Sequence, residues 1–273
     1  AMDMLEDGMS WDEIVTLAKA LEKAGVTIIS THFTWHESAV PTIATMVPRA
    51  AFTSVTGRLR KEVSVPVITS NRINMPVVAE EVLARGDADL VSMARPMLAD
   101  SAFMRKAIEG REDEINTCIA CNQACLDHTF SGKLTSCLVN PRACHETLLN
   151  YLPTAAAKRI AVIGAGPAGL AYATVAAERG HQVTLFEASS EIGGQFNLAK
   201  RIPGKEEFYE TLRYFGRMLE VLDVDVRLNT LASPEVLKAE NFDHIIIATG
   251  ITPRTPDIEG IDHPKVAKYI DVI

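Results

Sequence analysis

The stretch Gly164-Ala165-Gly166-Pro167-Ala168-Gly169 restricts what this chain can fold into more than any other. It spells G-x-G-x-x-G, directly after the apolar run Arg159 to Ile163 and directly before the alanine-rich segment Ala168 to Arg179. A strand that turns into a helix through this pattern has a defined physical logic. Gly164 makes the tight turn, Gly166 lets backbone N–H groups approach a pyrophosphate, and Gly169 lets the helix pack on the strand, with the helix N-terminus favouring the anion. A second strand is expected over Val183 to Phe186, and Glu187 follows it about 20 residues beyond the glycines, where an acid accepts hydrogen bonds from both ribose hydroxyls. Strand, glycines, helix, strand and acid in register predict a Rossmann-like dinucleotide-binding unit. The fingerprint itself does not separate FAD from NAD.

Cys118, Cys121, Cys125 and Cys137 follow C-x2-C-x3-C-x11-C, so one tight loop presents three thiolates and a fourth arrives from the next turn. Four thiolates suit zinc or an iron-sulfur cluster. Structural zinc more often uses two separated C-x2-C knuckles, and three staggered cysteines wrap three corners of a cubane, so the spacing favours 4Fe-4S over zinc or plain buried thiols. Cys144 and His145 lie outside the pattern and read as a packed thiol and an ordinary imidazole.

Upstream, residues 11 to 24 predict an amphipathic helix with Ile14, Leu17 and Leu21 on one face and Gly25 as its stop. Three β-branched runs, Val26 to Ser30, Val65 to Ser70 and Ala88 to Met93, alternate with helical stretches near 76 to 85 and 101 to 109. That punctuation implies parallel strands with right-handed crossovers, and spacing alone does not choose between a barrel and an open sheet. After the glycine motif, an amphipathic stretch Lys205 to Leu222 and a strand Asp243 to Ala248 are expected.

With 273 residues, 47% of them hydrophobic, the chain can bury a core in roughly two domains. Its net charge of -8, with both signs interleaved, provides no basic stripe for nucleic acid. No apolar run approaches the roughly 18 residues of a membrane span, and the cysteines are clustered rather than spread as a disulfide framework, so a cytoplasmic protein is expected.

Taken together, TWHES with PTIATMVPRAAF, TSNRINMP, RGDADLVSMARP, INTCIACNQACLD with SCLVNPRACHE, and GGQFNLAKRIPGKEEFYETLRYF resemble the bacterial 2,4-dienoyl-CoA reductase family of the Old Yellow Enzyme and trimethylamine dehydrogenase superfamily, over the whole chain. The resemblance implies an α/β chain: the last βα units of an FMN-binding TIM (β/α)8 barrel over residues 1–112, a 4Fe-4S segment and linker over 113–157, and an incomplete FAD-binding Rossmann-like domain over 158–273, with the nicotinamide domain outside it. On that plan the chain is an interior piece and inactive alone. The resemblance implies NADPH-dependent reduction of an acyl-CoA substrate, a 2,4-dienoyl thioester, with electrons passing through FAD, 4Fe-4S and FMN. His36 in TWHES corresponds to the family's proton donor, Arg72 with Ala94 and Arg95 to positions that bind FMN, and Ala168, Gly194, Gln195 and Lys205 to positions near FAD. Gly193-Gly194-Gln195 and Ala248-Thr249-Gly250 also resemble two-dinucleotide-domain flavoproteins, which favours FAD at the glycine motif. An amine dehydrogenase, another enone or enoate reductase, and a non-catalytic electron-transfer module are the alternatives. Oligomeric state is not legible.

Overall fold

The computed structural model describes residues 7–34 and 38–273, and the chain divides into two compact units, Ala1–Leu149 and Asn150–Ile273.

The first unit opens with helix α1 (Trp11–Lys23). A capping box starts it: Ser10 Oγ accepts from the Glu13 N–H at 3.4 Å and Glu13 Oε2 accepts from the Ser10 N–H at 2.8 Å, which together satisfy two orphan donors. Gly25, at φ 97°, takes the left-handed conformation that ends it. The chain continues through β1 (Ile29–Ser30), α2 (Thr53–Arg60), β2 (Val67–Thr69), α3 (Pro76–Ala84), β3 (Leu90–Val91), α4 (Arg95–Ala99), α5 (Phe103–Ile108) and α6 (Leu126–Phe130). The strands form a parallel sheet in the order β1-β2-β3. Repeated βα units with a parallel sheet are what the punctuation predicts.

Two details differ from expectation. The strands are shorter, because register pairs only Ile29 with Val67, Ser30 with Ile68, Ile68 with Leu90 and Thr69 with Val91. The buried face of α1 is Ile14 and Ala18, packed with Leu59, Ile29 and Val63, while Leu17 and Leu21 remain exposed. Apolar periodicity marks which side chains can be buried, and the position of α2 decides which are.

The spacing does not announce α2, since its inward side is largely threonine. Thr56 Oγ1 lies 2.8 Å from Thr31 Oγ1 and 2.9 Å from Thr69 Oγ1, and Thr53 Oγ1 donates to Asp87 Oδ2 at 2.8 Å. Buried hydroxyls paired in a chain pack as well as methyls while reading as polar. Thr56→Val keeps the shape and breaks both links, and is expected to cost about 1–2 kcal/mol in urea denaturation.

The second unit runs β4 (Arg159–Ile163), α7 (Pro167–Glu178), β5 (Gln182–Phe186), α8 (Phe196–Ala199), α9 (Phe208–Val221), β6 (Asp225–Arg227), α10 (Pro234–Ala239), β7 (His244–Ile247) and α11 (Tyr269–Val272). Its parallel sheet has the order β6-β5-β4-β7. The core joins Ile160 and Val162 of β4, Leu170 and Ala173 of α7, Leu185 of β5 and Leu219 of α9. Successive strands step from β4 outward to β6, and β7 then returns to the other side of β4. That reversal opens a crevice at the carboxyl ends of the strands, where ligands bind in open α/β sheets. No helix among the described residues is long and apolar enough to cross a membrane.

Candidate functional site

The crevice in the second unit is built by three strand ends in register, since Ile163 pairs with both Phe186 and Ile247. Gly164, Glu187 and Ala248 therefore emerge side by side. They line a cleft of about 640 Å³ together with Gly166, Ala168, Gly194 and Gln195, a volume within the usual range for a small-molecule or cofactor site. The three motif glycines have different reasons to be glycine. A Cβ on Gly164, already at φ 103°, would sit 2.4 Å from the Ala248 carbonyl oxygen, and one on Gly169 would sit 1.9 Å from the Gly164 carbonyl oxygen. Gly169 thus serves helix-on-strand contact. A Cβ on Gly166 would meet nothing within 4 Å. No protein group demands glycine there, which fits a backbone surface left bare for close approach by a pyrophosphate.

Glu187 Oε2 accepts from the Ala165 N–H at 2.7 Å, and Oε1 accepts from the Ser189 N–H at 2.9 Å. Burial pushes this carboxyl up, but the hydrogen bonds from Ser189 and Ala165 outweigh it and hold it below the usual carboxylate value of 4.5. A depressed folded value stabilises the protein fully above the unfolded value, and the stabilisation is lost as pH falls through the folded one. The Ser189 hydroxyl also donates to Oε1 at 2.9 Å, so of a carboxylate's roughly four acceptor sites most are used within the protein, and ribose hydroxyls binding here would displace or share the Ser189 bond. Glu187→Gln is expected to weaken FAD binding about tenfold by flavin fluorescence titration.

Gln195 Nε2 donates to the Ile251 carbonyl at 2.7 Å, bracing its segment across the cleft. Lys205 is not among the described residues lining the cleft; its Nζ lies 5.5 Å from the Phe208 ring centroid. Arg201 and Ser189 line the cleft without being singled out by the sequence, while Thr249 of the Ala248-Thr249-Gly250 motif lines it too. Arg201 follows Lys200 in a Lys-Arg pair that reads as a solvated surface, and it is exposed where it borders the cleft.

In the first unit a second cavity, about 240 Å³, sits at the carboxyl ends of β1, β2 and β3 and is lined by His32, Arg72, Ala94 and Arg95 among others. Arg72 is buried, and its Nε donates to the Val47 carbonyl at 2.7 Å. Arg95 donates from Nη2 to the Thr42 carbonyl at 3.3 Å. Two guanidinium groups thus stand at strand ends on one cavity, and guanidinium forks have the charge and donor geometry that suit a phosphomonoester. Burial, then the nearby Arg95, lowers the pKa of His32. His36 lies outside the described residues.

All four predicted ligand cysteines line one further cavity, of about 20 Å³. The segment is anchored on the βα framework. Asn74 Nδ2 donates to the Cys118 carbonyl at 2.9 Å, the Asn116 N–H to Asp100 Oδ2 at 2.9 Å, and Asn140 Nδ2 to the Leu98 carbonyl at 2.9 Å. Asp100 is itself paired with Lys106 at 2.6 Å. Burial pushes the thiols of Cys118 and Cys121 up, and that of Cys137 up to about 11. Thiols that resist ionisation alone need a bound cation to become thiolates, so metal loading should weaken as pH falls. Among the described residues no three His, Cys, Asp or Glu side chains are gathered as around one metal ion. The donor set of four thiols on one cavity, mostly apolar otherwise, fits a cluster chemically. Cys144 is exposed, at φ 63°, rather than packed as expected, because a turn carries it away from the cavity.

Residues 2–114 match the family described as NADH:flavin oxidoreductase / NADH oxidase, and residues 158–273 the family described as pyridine nucleotide-disulphide oxidoreductase. Each of these regions is similar to an oxidoreductase family, and each match covers less than half of the chain. It is 42% identical to a metal reductase of Desulforamulus reducens over 96% of its own length and 40% of that protein's. It is 30% identical to a cinnamate reductase of Clostridium sporogenes over 98% of this chain and 40% of that one. A solved complex of 2-naphthoyl-CoA reductase with 2-naphthoyl-CoA superposes with a TM-score of 0.95 and 36% identity, over 99% of this chain and 42% of that one. The chain thus spans about two fifths of the relatives it matches.

Proposed function

We propose that this chain serves a flavin- and iron-sulfur-dependent oxidoreductase that reduces a carbon–carbon double bond conjugated to an acyl-CoA carbonyl, with 2,4-dienoyl-CoA as the substrate class. When bound, NADPH, FAD, a 4Fe-4S cluster and FMN supply the hydride and single-electron chemistry that connects donor to substrate. One observation carries the reading: the strand-end cavity and the four-cysteine cavity belong to the same unit and share Arg95 as a wall. That adjacency is what electron transfer between a flavin and a cluster requires. Arg72 and Arg95 would hold the FMN phosphate. Gly164, Gly166 and Glu187 would hold the FAD pyrophosphate and ribose, and Cys118, Cys121, Cys125 and Cys137 the cluster. Proton delivery to the substrate is assigned to His36, whose support is the TWHES motif, since a near-neutral imidazole suits a general acid.

Both the likeness to 2-naphthoyl-CoA reductase and the match to cinnamate reductase support reduction of activated double bonds. The second of these keeps an enoate reductase as an alternative reading. Metal analysis of the loaded protein tests the core of the proposal: about four irons with acid-labile sulfide are expected, and one zinc per chain would remove it. Anaerobic NADPH turnover with dienoyl-CoA against cinnamate then decides the substrate class.

A further inference from the structure

Among the described residues, Arg95 is the one charged residue common to the strand-end cavity and the cysteine cavity. Its guanidinium is clamped from two sides. Nη1 donates to Asn122 Oδ1 at 3.4 Å and to the Ile43 carbonyl at 3.3 Å, and Nη2 to the Thr42 carbonyl at 3.3 Å. Asn122 stands between Cys121 and Cys125 at φ 63°, a left-handed conformation that Asn tolerates better than most side chains. Its Nδ2 is in turn tied to the Ile43 carbonyl at 2.9 Å. The amide thus joins the cysteine loop, the segment at 42–43 and the arginine.

Every one of these acceptors is neutral. Among the described residues lining the two cavities there is no carboxylate, and Arg72, on the strand-end side, is the other permanent cation. A guanidinium with no carboxylate among the described lining residues projects its field into both spaces, and the field is screened less there than in water.

We propose that Arg95, held in place by Asn122, is an electrostatic coupler between the two cavities, so that a phosphomonoester bound in the strand-end cavity lowers the reduction potential of a cluster held by the cysteines. The sign follows from charge alone. An incoming electron on the cluster is favoured by a nearby cation, and a phosphate that neutralises this cation withdraws the favour. The step adds one electron to the cluster and makes or breaks no bond. By linkage, a reduced cluster weakens phosphomonoester binding by the same factor. The inference rests on the assignment of FMN and a cluster to these cavities.

The test is an EPR-monitored redox titration of the flavin- and iron-loaded protein carrying FMN, compared with the same protein carrying riboflavin, which lacks the phosphate. Where riboflavin is not retained, inorganic phosphate titrated onto the FMN-depleted protein provides the comparison. The cluster potential is expected to be lower with the phosphate present. In Arg95→Gln that difference should shrink, and in Asn122→Ala it should shrink while FMN affinity falls about fivefold. Identical potentials with and without phosphate in the wild-type protein overturn the coupling. An undiminished difference in Asn122→Ala removes Asn122 from it, and one in Arg95→Gln removes Arg95. Absence of cluster iron would instead defeat the functional reading beneath it, so the two failures are distinguishable.

Discussion

Gly169→Ala is expected to yield a protein that retains no FAD and is destabilised by about 3 kcal/mol or more, read from the urea midpoint and from flavin absorbance after purification. The added methyl would lie 1.9 Å from the Gly164 carbonyl oxygen and 3.1 Å from its carbon. Those atoms are backbone in the turn that shapes the cleft, so no side chain can rotate aside. Helix α7 would have to lift from β4, and Leu170 and Ala173, fully buried against Val162 and Leu185, would lose their packing. Gly166→Ala separates folding from binding. Its Cβ meets nothing within 4 Å, so stability should be retained while FAD affinity collapses. Normal FAD binding by the Gly166→Ala protein would place the pyrophosphate elsewhere, and native stability in the Gly169→Ala protein would contradict the packing.

The second large effect is expected at the cysteines. Cys121→Ser or Cys137→Ser should abolish cluster iron and reduce NADPH-driven turnover by more than about 100-fold, since losing a ligand exceeds the usual cost of losing a second-sphere partner. Cys137 is the more informative of the two. It is brought to the cavity by tertiary links, the Ser136 N–H donating to the Ala124 carbonyl at 2.7 Å and Asn116 Nδ2 to the Val139 carbonyl at 2.7 Å. Cys144→Ser, at an exposed position, should leave iron content and turnover unchanged. Iron retained in Cys137→Ser, or lost in Cys144→Ser, would mean a different ligand set.

Local patterning settled the parts of this protein whose cause is local. The strand-glycine-helix-strand-acid series is legible because each residue type answers a constraint within a short span: β4 falls on Arg159–Ile163 as expected, and Gly164, Ala168 and Glu187 converge on one cleft. The cysteine spacing is legible for the same reason. Other features depend on what arrives from far along the chain. Buried threonines of α2 are satisfied only by hydroxyls on β1 and β2, so hydropathy could not announce that helix. Strand β6 carries alternating charges and becomes a strand because β5 offers it an edge, Thr184 pairing with Asp225 and Phe186 with Arg227. Leu17 and Leu21 are apolar yet exposed, and Arg201 is charged yet lines the cleft.

The sequence alone therefore marked the residues from which chemistry is proposed: a glycine-rich strand–helix turn, a four-thiol set and strand-end arginines. Only the tertiary structure decided that Arg95 stands on the wall of two cavities at once, tied to Asn122 across 27 positions of chain. Residue type and spacing encode interactions within a turn or two, whereas a contact between distant segments exists only after the burial of unrelated side chains has brought them together.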